Sequence, residues 1–225
     1  MTGVSVVLPV YRNAESLAEL HTRLSLALAA EDFELIFVDD ACPAGSAAIL
    51  NRLELQDPRV RVITHARNQG QRLALWHGLQ AARGQIAITM DADLQDPPEA
   101  IPQLLAALRA TGTGAVYAAR RGAYQGRSRM ATSRAYRAVL QALTGIPGDA
   151  GAYLAITRKA LDAILPIETP SPYLQALLAS TRLPFHGVPV QRAIRPAGQS
   201  AYSEWARLRL AMRSLFDAWQ VKRRP

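Results

Sequence analysis

Ile86-Ala-Ile-Thr-Met-Asp91-Ala-Asp93-Leu-Gln95-Asp-Pro97-Pro98 is a short apolar run that ends abruptly in acid. A buried strand of a parallel sheet has this form where it leaves the core. Asp91 and Asp93 stand two apart. In an extended backbone side chains at i and i+2 share a side, so the two carboxylates are expected to converge, with Gln95 continuing the spacing. Two carboxylates and an amide oxygen suit a hard divalent cation that keeps free positions for a phosphate ligand. Pro97 and Pro98 stop the strand and can open a helix at Glu99. Asp-x-Asp alone also fits an acidic turn after a core strand, so its meaning depends on the surrounding chain.

Upstream, Val4–Val10, Phe33–Val38 and Val60–Ile63 are further apolar runs that predict buried strands. Between them, Ser16–Ala30, with Leu17, Leu20, Leu24 and Leu28, and Ser46–Leu55 have helical spacing. Gln71–Ala82 predicts a helix stopped by Gly84. Downstream follow a helix over Ile101–Leu108 and a strand over Ala115–Ala119. Strands alternating with helices of about a dozen residues imply βαβ units and a mainly parallel α/β sheet. Ligands of such sheets bind beyond the carboxyl ends of the strands, where Asp39-Asp40, His65–Gly70 and Asp91–Gln95 all fall.

Beyond Ala119 the pattern changes. Arg120, Arg121, Arg127, Arg129, Arg134 and Arg137 occur with no acid until Asp149. Ser128–Leu143 predicts a helix, Gly148–Thr157 a strand, Leu161–Leu165 and Tyr173–Leu178 short helices, and Val188–Ile194 a last strand. Ser203–Lys222 predicts an amphipathic helix, with Trp205, Leu208, Met212, Leu215 and Trp219 on one stripe and arginines off it. Such a stripe packs on its own domain or lies in a membrane surface.

The chain has 225 residues, 49% of them apolar, which suffices for one substantial core. Residues 1–119 hold 9 Arg and 13 acids, net −4, and residues 120–225 hold 17 Lys+Arg and 5 acids, net +12. An acidic half suited to a metal thus precedes a basic half suited to anions. No nucleic-acid motif accompanies the basic half. A single cysteine, Cys42, excludes an internal disulfide. No run reaches the ~20 apolar residues of a membrane span, and the first residues have a strand pattern rather than that of a signal peptide. The expectation is a cytoplasmic protein, peripheral at the inner face of the cell membrane. The first strand leads into Pro-Val-Tyr-Arg-Asn, with no glycine for a dinucleotide turn, and no His-Glu-x-x-His or cysteine cluster supports zinc.

Taken together, Pro9-Val-Tyr11-Arg-Asn13, Val38-Asp39-Asp40, Asn68-Gln-Gly70, Asp91-Ala-Asp93-Leu-Gln95, and Arg195 with Gly198 and Ser200 resemble family 2 glycosyltransferases of the GT-A fold. The similarity is to the polyprenyl-phosphate branch, of the dolichol-phosphate mannosyltransferase type, and runs from about Val4 to Tyr202. It implies a GT-A domain over 1–202, with a nucleotide-binding half at 1–119 and an acceptor half at 120–202, followed by the basic helix at 203–225. It implies that Pro9, Tyr11, Val38 and Asp40 contact the nucleoside of a nucleotide sugar, and that Asp39 supports that loop or shares the contact. Asp91, Asp93 and Gln95 would hold Mg²⁺ or Mn²⁺ on the diphosphate, with Ala92 and Ser200 also at the donor. Arg120, Arg129, Ser133 and Arg195 would bind acceptor or donor phosphates, and the sugar would be transferred with inversion.

Sugar-accepting relatives often carry a Glu-Asp pair as base, where this chain has Gly148-Asp149-Ala150-Gly151. A phosphate acceptor is already ionised and needs cations rather than a base, which guanidinium groups supply. If the acceptor is a sugar hydroxyl, Asp149 is the base; a non-catalytic nucleotide-sugar-binding protein is the third alternative. The sequence departs from the family at Asn13, often Glu, at Ala44, often Asp, and at Ala201, often Lys. His65 and His186 are expected as structural hydrogen-bonding residues, His21 and His77 carry no functional expectation, and Cys42 is expected as a small buried residue.

Overall fold

A computed structural model describes residues 3–121, 141–142 and 150–191, as backbone alone at 120, 121 and 150. Strands β1 (Val4–Val10), β2 (Phe33–Asp39), β3 (Val60–Thr64), β4 (Ile86–Thr89) and β5 (Ala115–Arg121) alternate with helices. These are α1 (Leu17–Ala27), α2 (Ser46–Gln56), α3 (Gln71–Ala81) and α4 (Ile101–Thr111). Then come β6 (Ala150–Thr157), α5 (Arg158–Ile164), α6 (Leu174–Ser180) and β7 (Phe185–Gln191).

The strands form one seven-stranded sheet in the order β3-β2-β1-β4-β6-β5-β7. β6 runs antiparallel to both neighbours, and the other pairs are parallel. Alternate residues of each strand feed two cores. Val4, Val6, Leu8, Val10, Leu35, Phe37 and Ile88 pack with Leu17, Leu20 and Leu24 of α1, Leu50 of α2 and Leu104 of α4. Val7, Ile36, Val38, Ala87 and Leu154 pack on the other face with Trp76 and Leu79 of α3, Leu161 of α5 and Leu177 of α6. Burial on both faces is why these strands are continuous apolar runs.

The structure corrects three expectations. β4 stops at Thr89, and Asp91–Asp96 is a turn rather than extended strand. β7 begins at Phe185, three residues early, and tolerates Pro189 because it is the edge strand. Gly84 is not a helix stop. A Cβ there would lie 2.6 Å from the backbone nitrogen of Ser5, so the position needs glycine for close approach to β1. Of the helix expected over 128–143, only 141–142 fall among the described residues, and both are helical. The expected C-terminal helix lies outside them.

Candidate active site

The parallel registers bring the carboxyl ends of β1 to β4 to one edge. The chain turns sharply there. Among the described residues four non-glycines have positive φ, and three lie on this edge: Arg12 (60°), Ala41 (53°) and Leu94 (60°). Such backbone is uncommon outside glycine and is enriched at functional sites.

In the turn after β4, Ala92, Leu94 and Asp96 are buried while Asp91, Asp93 and Gln95 are half-exposed. The alternation of an extended strand therefore survives by another route, with Leu94 in the left-handed region pinned into the core. Asp93 Oδ1 accepts from the Gln95 backbone N–H at 3.1 Å. Gln71 Nε2, at the start of α3, donates to Asp91 Oδ1 at 2.5 Å. Ser16 Oγ donates to Ala92 O at 2.6 Å, and the buried Tyr153 hydroxyl donates to Pro97 O at 2.9 Å. Burial raises the Tyr153 pKa well above the usual phenol value, with Asp96 and Glu99 adding to it, so the hydroxyl stays a neutral donor. Among the described residues no three His, Cys, Asp or Glu side chains form a metal-holding group. Asp91, Asp93 and Gln95 instead offer hard oxygen donors on a half-exposed turn, which fits a cation that takes further ligands from water and phosphate.

After β1, Tyr11 is half-buried with the Arg12 guanidinium 5.4 Å from its ring centroid. Asn13 ties this loop to the acid turn: its side-chain oxygen accepts from the Asp93 N–H at 3.3 Å and its nitrogen donates to Tyr11 O. Pro9 is half-buried, and the side chain of Val38 belongs to the core beside α3. Asp39 Oδ1 accepts from Cys42 N–H at 2.9 Å and Oδ2 from Ser46 Oγ at 3.2 Å. Cys42 is half-exposed rather than buried, and its sulfur accepts from Arg12 N–H at 3.0 Å. Burial pushes the thiol up, but hydrogen bonds from Ser46 and the backbone of Ala44 and Arg12 outweigh it, and its pKa lies below the ordinary value.

Asp40, 2% exposed, is saturated by a neighbouring loop. Its Oδ1 accepts from His65 Nδ1 at 2.7 Å and Gln69 N–H at 2.8 Å, and its Oδ2 from Gly70 N–H at 2.8 Å. Gly70, at φ 91°, takes a backbone that only glycine adopts readily and leads into α3. His65 is thus a buried hydrogen-bonding residue, but its other nitrogen meets His77 Nδ1 at 2.9 Å, a partner for which the sequence carried no signal. His186 is exposed on β7, where it pairs in register with Val116. His21 Nε2 contacts Asp57 Oδ2 at 2.9 Å, away from this edge. Arg120 is placed as β5 backbone opposite Val190. Arg129, Ser133, Asp149, Arg195 and Ser200 lie outside the described residues.

A doubly layered, mainly parallel sheet with its acid pair on the turn after the fourth strand defines a GT-A-type glycosyltransferase domain. The chain belongs to glycosyl transferase family 2, whose sequence pattern it matches over residues 5–165. It is 31% identical over 214 residues to the uncharacterized glycosyltransferase YkcC of Bacillus subtilis, covering 92% of this chain and 66% of that protein. It is 36% identical over 205 residues to the undecaprenyl-phosphate 4-deoxy-4-formamido-L-arabinose transferase of Proteus mirabilis, covering 89% of this chain and 63% of that one. The chain thus spans somewhat under two thirds of the length of these relatives. In fold it resembles glucosyl-3-phosphoglycerate synthase of Mycobacterium tuberculosis in complex with Mn²⁺, UDP and phosphoglyceric acid, with TM-score 0.72, 20% identity and coverage of 100% of this chain and 80% of that one. It also resembles mannosyltransferase PcManGT of Pyrobaculum calidifontis in complex with GDP-Man and Mn²⁺, with TM-score 0.64, 18% identity and coverage of 98% and 70%.

Proposed function

We propose that this chain carries the catalytic domain of an inverting, divalent-cation-dependent transferase that moves a sugar from a nucleotide donor to a polyprenyl phosphate. The observation that carries the reading is the acid turn. Asp91, Asp93 and Gln95 stand half-exposed on a segment fixed by Gln71, Asn13, Ser16 and Tyr153. Relatives named for undecaprenyl-phosphate transfer support the acceptor class. Pro9, Tyr11 and the loop beyond Asp39 and Asp40 would bind the nucleoside, and Asp91, Asp93 and Gln95 would hold Mg²⁺ or Mn²⁺. When bound, the cation would offset the charge that develops on the leaving diphosphate without any proton transfer. An acceptor phosphate oxygen would bond to the anomeric carbon as the bond to the diphosphate breaks, with inversion. The acceptor is already anionic, so no protein base is required; Arg120, Arg129, Ser133 and Arg195 would position the phosphates. The domain would span 1–202, and the basic stripe of 203–225 would dock on anionic lipid at the inner membrane face.

The test is release of nucleoside diphosphate from a panel of nucleotide sugars with Mn²⁺, given either undecaprenyl phosphate or a free glycan. Turnover with the lipid phosphate is expected. Turnover only with the glycan would move the chemistry to Asp149, and none with either would favour a binding protein. Arg129→Ala should weaken the lipid phosphate by about one to two decades and leave the donor nearly unchanged.

A further inference from the structure

We propose that His65 and His77 are positioning residues for the donor site, joined to Asp40 in a hydrogen-bonded chain that fixes loop 65–70 and opens when both imidazoles are protonated. The proposal rests on the donor reading above and deepens it.

The chain crosses three elements. Asp40 follows β2, His65 follows β3 and His77 lies on α3. The side chains of Asp40 and His65 are 3% and 5% exposed. The two rings meet nearly edge to face, with centroids 4.9 Å apart and planes at 81°. An ionised Asp40 can only accept, so His65 Nδ1 carries a proton toward it. In neutral His65 the other nitrogen, Nε2, is then an acceptor, and His77 Nδ1–H donates to it. One added proton is tolerated, because an imidazolium on either ring can still donate to a neutral partner. Two added protons place N–H against N–H, and the 2.9 Å contact cannot persist.

On α3, Arg72 donates to Ser171 Oγ and lies over the Tyr173 ring. From β2, Asp39 turns its carboxylate to Cys42 and Ser46. On the loop, Arg67 is exposed. Burial holds the His77 pKa below the ordinary imidazole value, charge on His65 lowers it further, and Asp40 opposes both.

The consequence reaches the acid turn. Asp40 also takes the Gln69 and Gly70 N–H groups, and the next residue, Gln71, donates to Asp91. Whatever loosens the 65–70 loop therefore frees the side chain that orients the acid assigned to the cation.

Two measurements on the full chain test this. The first is imidazole ¹⁵N spectroscopy between pH 8 and 5. It should show Nδ1–H on both His65 and His77 at high pH, and uptake of the second proton well below the first. The other tautomer on His65, or two independent titrations, would overturn the proposal. The second is amide exchange at Gln69 and Gly70, corrected for the intrinsic pH dependence of exchange. Protection should fall roughly fivefold to tenfold at acid pH, the scale of one lost buried hydrogen bond. In His77→Asn, whose amide donates from the position of Nδ1 but does not titrate, protection should stay flat. In His77→Leu it should be low throughout. Equal pH dependence in wild type and His77→Asn would overturn the proposal, and the wild-type spectra decide it should either variant not fold. Neither readout uses a nucleotide, so absent sugar transfer with these results intact would count against the donor reading alone.

Discussion

The two edges of the sheet handle buried charge in opposite ways. At the amino edge Glu34 lies between β1 and β3. Its Oε1 accepts from Ser5 Oγ at 2.7 Å and Arg83 N–H at 2.8 Å, and its Oε2 from Arg61 Nη1 at 2.9 Å. Arg158 closes the same edge by donating to Ala82 O and Gly84 O. Both carboxylate oxygens are matched, and the backbone of Gly84 packs against Ser5. At the carboxyl edge Asp39 and Asp40 are saturated in the same manner, but Asp91 and Asp93 remain half-exposed on a turn that includes the left-handed Leu94. The first edge contributes stability. The second holds its loops in place by buried hydrogen bonds and presents carboxylates on top of them.

If that division holds, substitutions at the two edges should separate activity from stability. The largest effect belongs to Asp93→Ala, which should lower sugar transfer by at least about 100-fold while the melting temperature stays within a few degrees. Near-normal turnover in EDTA-treated buffer would remove the cation from the account. Next, Glu34→Ala should destabilise by about 1–2 kcal/mol in urea unfolding, since it removes three hydrogen bonds but leaves Arg61 with Ala81 O and the Arg83 N–H with Ser5 Oγ. Turnover per folded molecule should not change. A matching loss of activity would mean that the edges are not independent.

A smaller effect is expected in acid. Asp57, just before β3, lies well below the usual carboxylate range, chiefly through its Arg59 hydrogen bond and against the opposing effect of burial. A depressed acid gives stability that is full above its unfolded pKa and lost as pH falls through the folded one, so this loss begins below about pH 4. His77 is also depressed, so the unfolded chain takes its proton first and stability should decline gently from about pH 6.5. Asp57→Asn should reduce the later loss, which Glu31, Glu34 and Glu99 share because they are depressed too, and His77→Asn should remove the earlier one in urea midpoints measured against pH. Smallest of all, Ala41→Gly should raise stability by less than about 1 kcal/mol, because only glycine holds φ 53° without strain. A clear fall in stability would show that the left-handed turn is not strained.

The strands of the first half were legible because β1, β2 and β4 are buried on both faces and read as largely apolar runs, while the edge strand β3 is only partly buried. That three polar clusters would meet at one edge was legible because three such runs end in Asp39-Asp40, His65–Gly70 and Asp91–Gln95. Direction was not legible. β6 is as apolar as its neighbours, and nothing in Tyr153–Ile156 encodes that it runs antiparallel. The turn at Leu94 was hidden because leucine rarely takes a left-handed backbone, and the alternation of Asp91, Asp93 and Gln95 imitates a strand. The pairing of His65 with His77 joins a loop to a helix across a tertiary contact, which spacing along the chain does not report. Gly84 sits where a helix stop would sit and serves packing instead.

The position of β6 also bears on how the chain is made. β4, which leads into the acid turn, pairs with β1 on one side and with β6 on the other, so Ile86 meets Thr157 and Thr89 meets Leu154. As the polypeptide leaves the ribosome, β4 is complete some sixty residues before that second partner exists. Until then its outer rim is an unpaired edge, open to pairing with another nascent chain. Thr89 itself donates to Ala152 O, so the base of the acid turn acquires this hydrogen bond only when β6 arrives. Completion of the carboxyl edge is therefore postponed until β6 inserts, and fragments ending near residue 121 should aggregate more readily than the full chain.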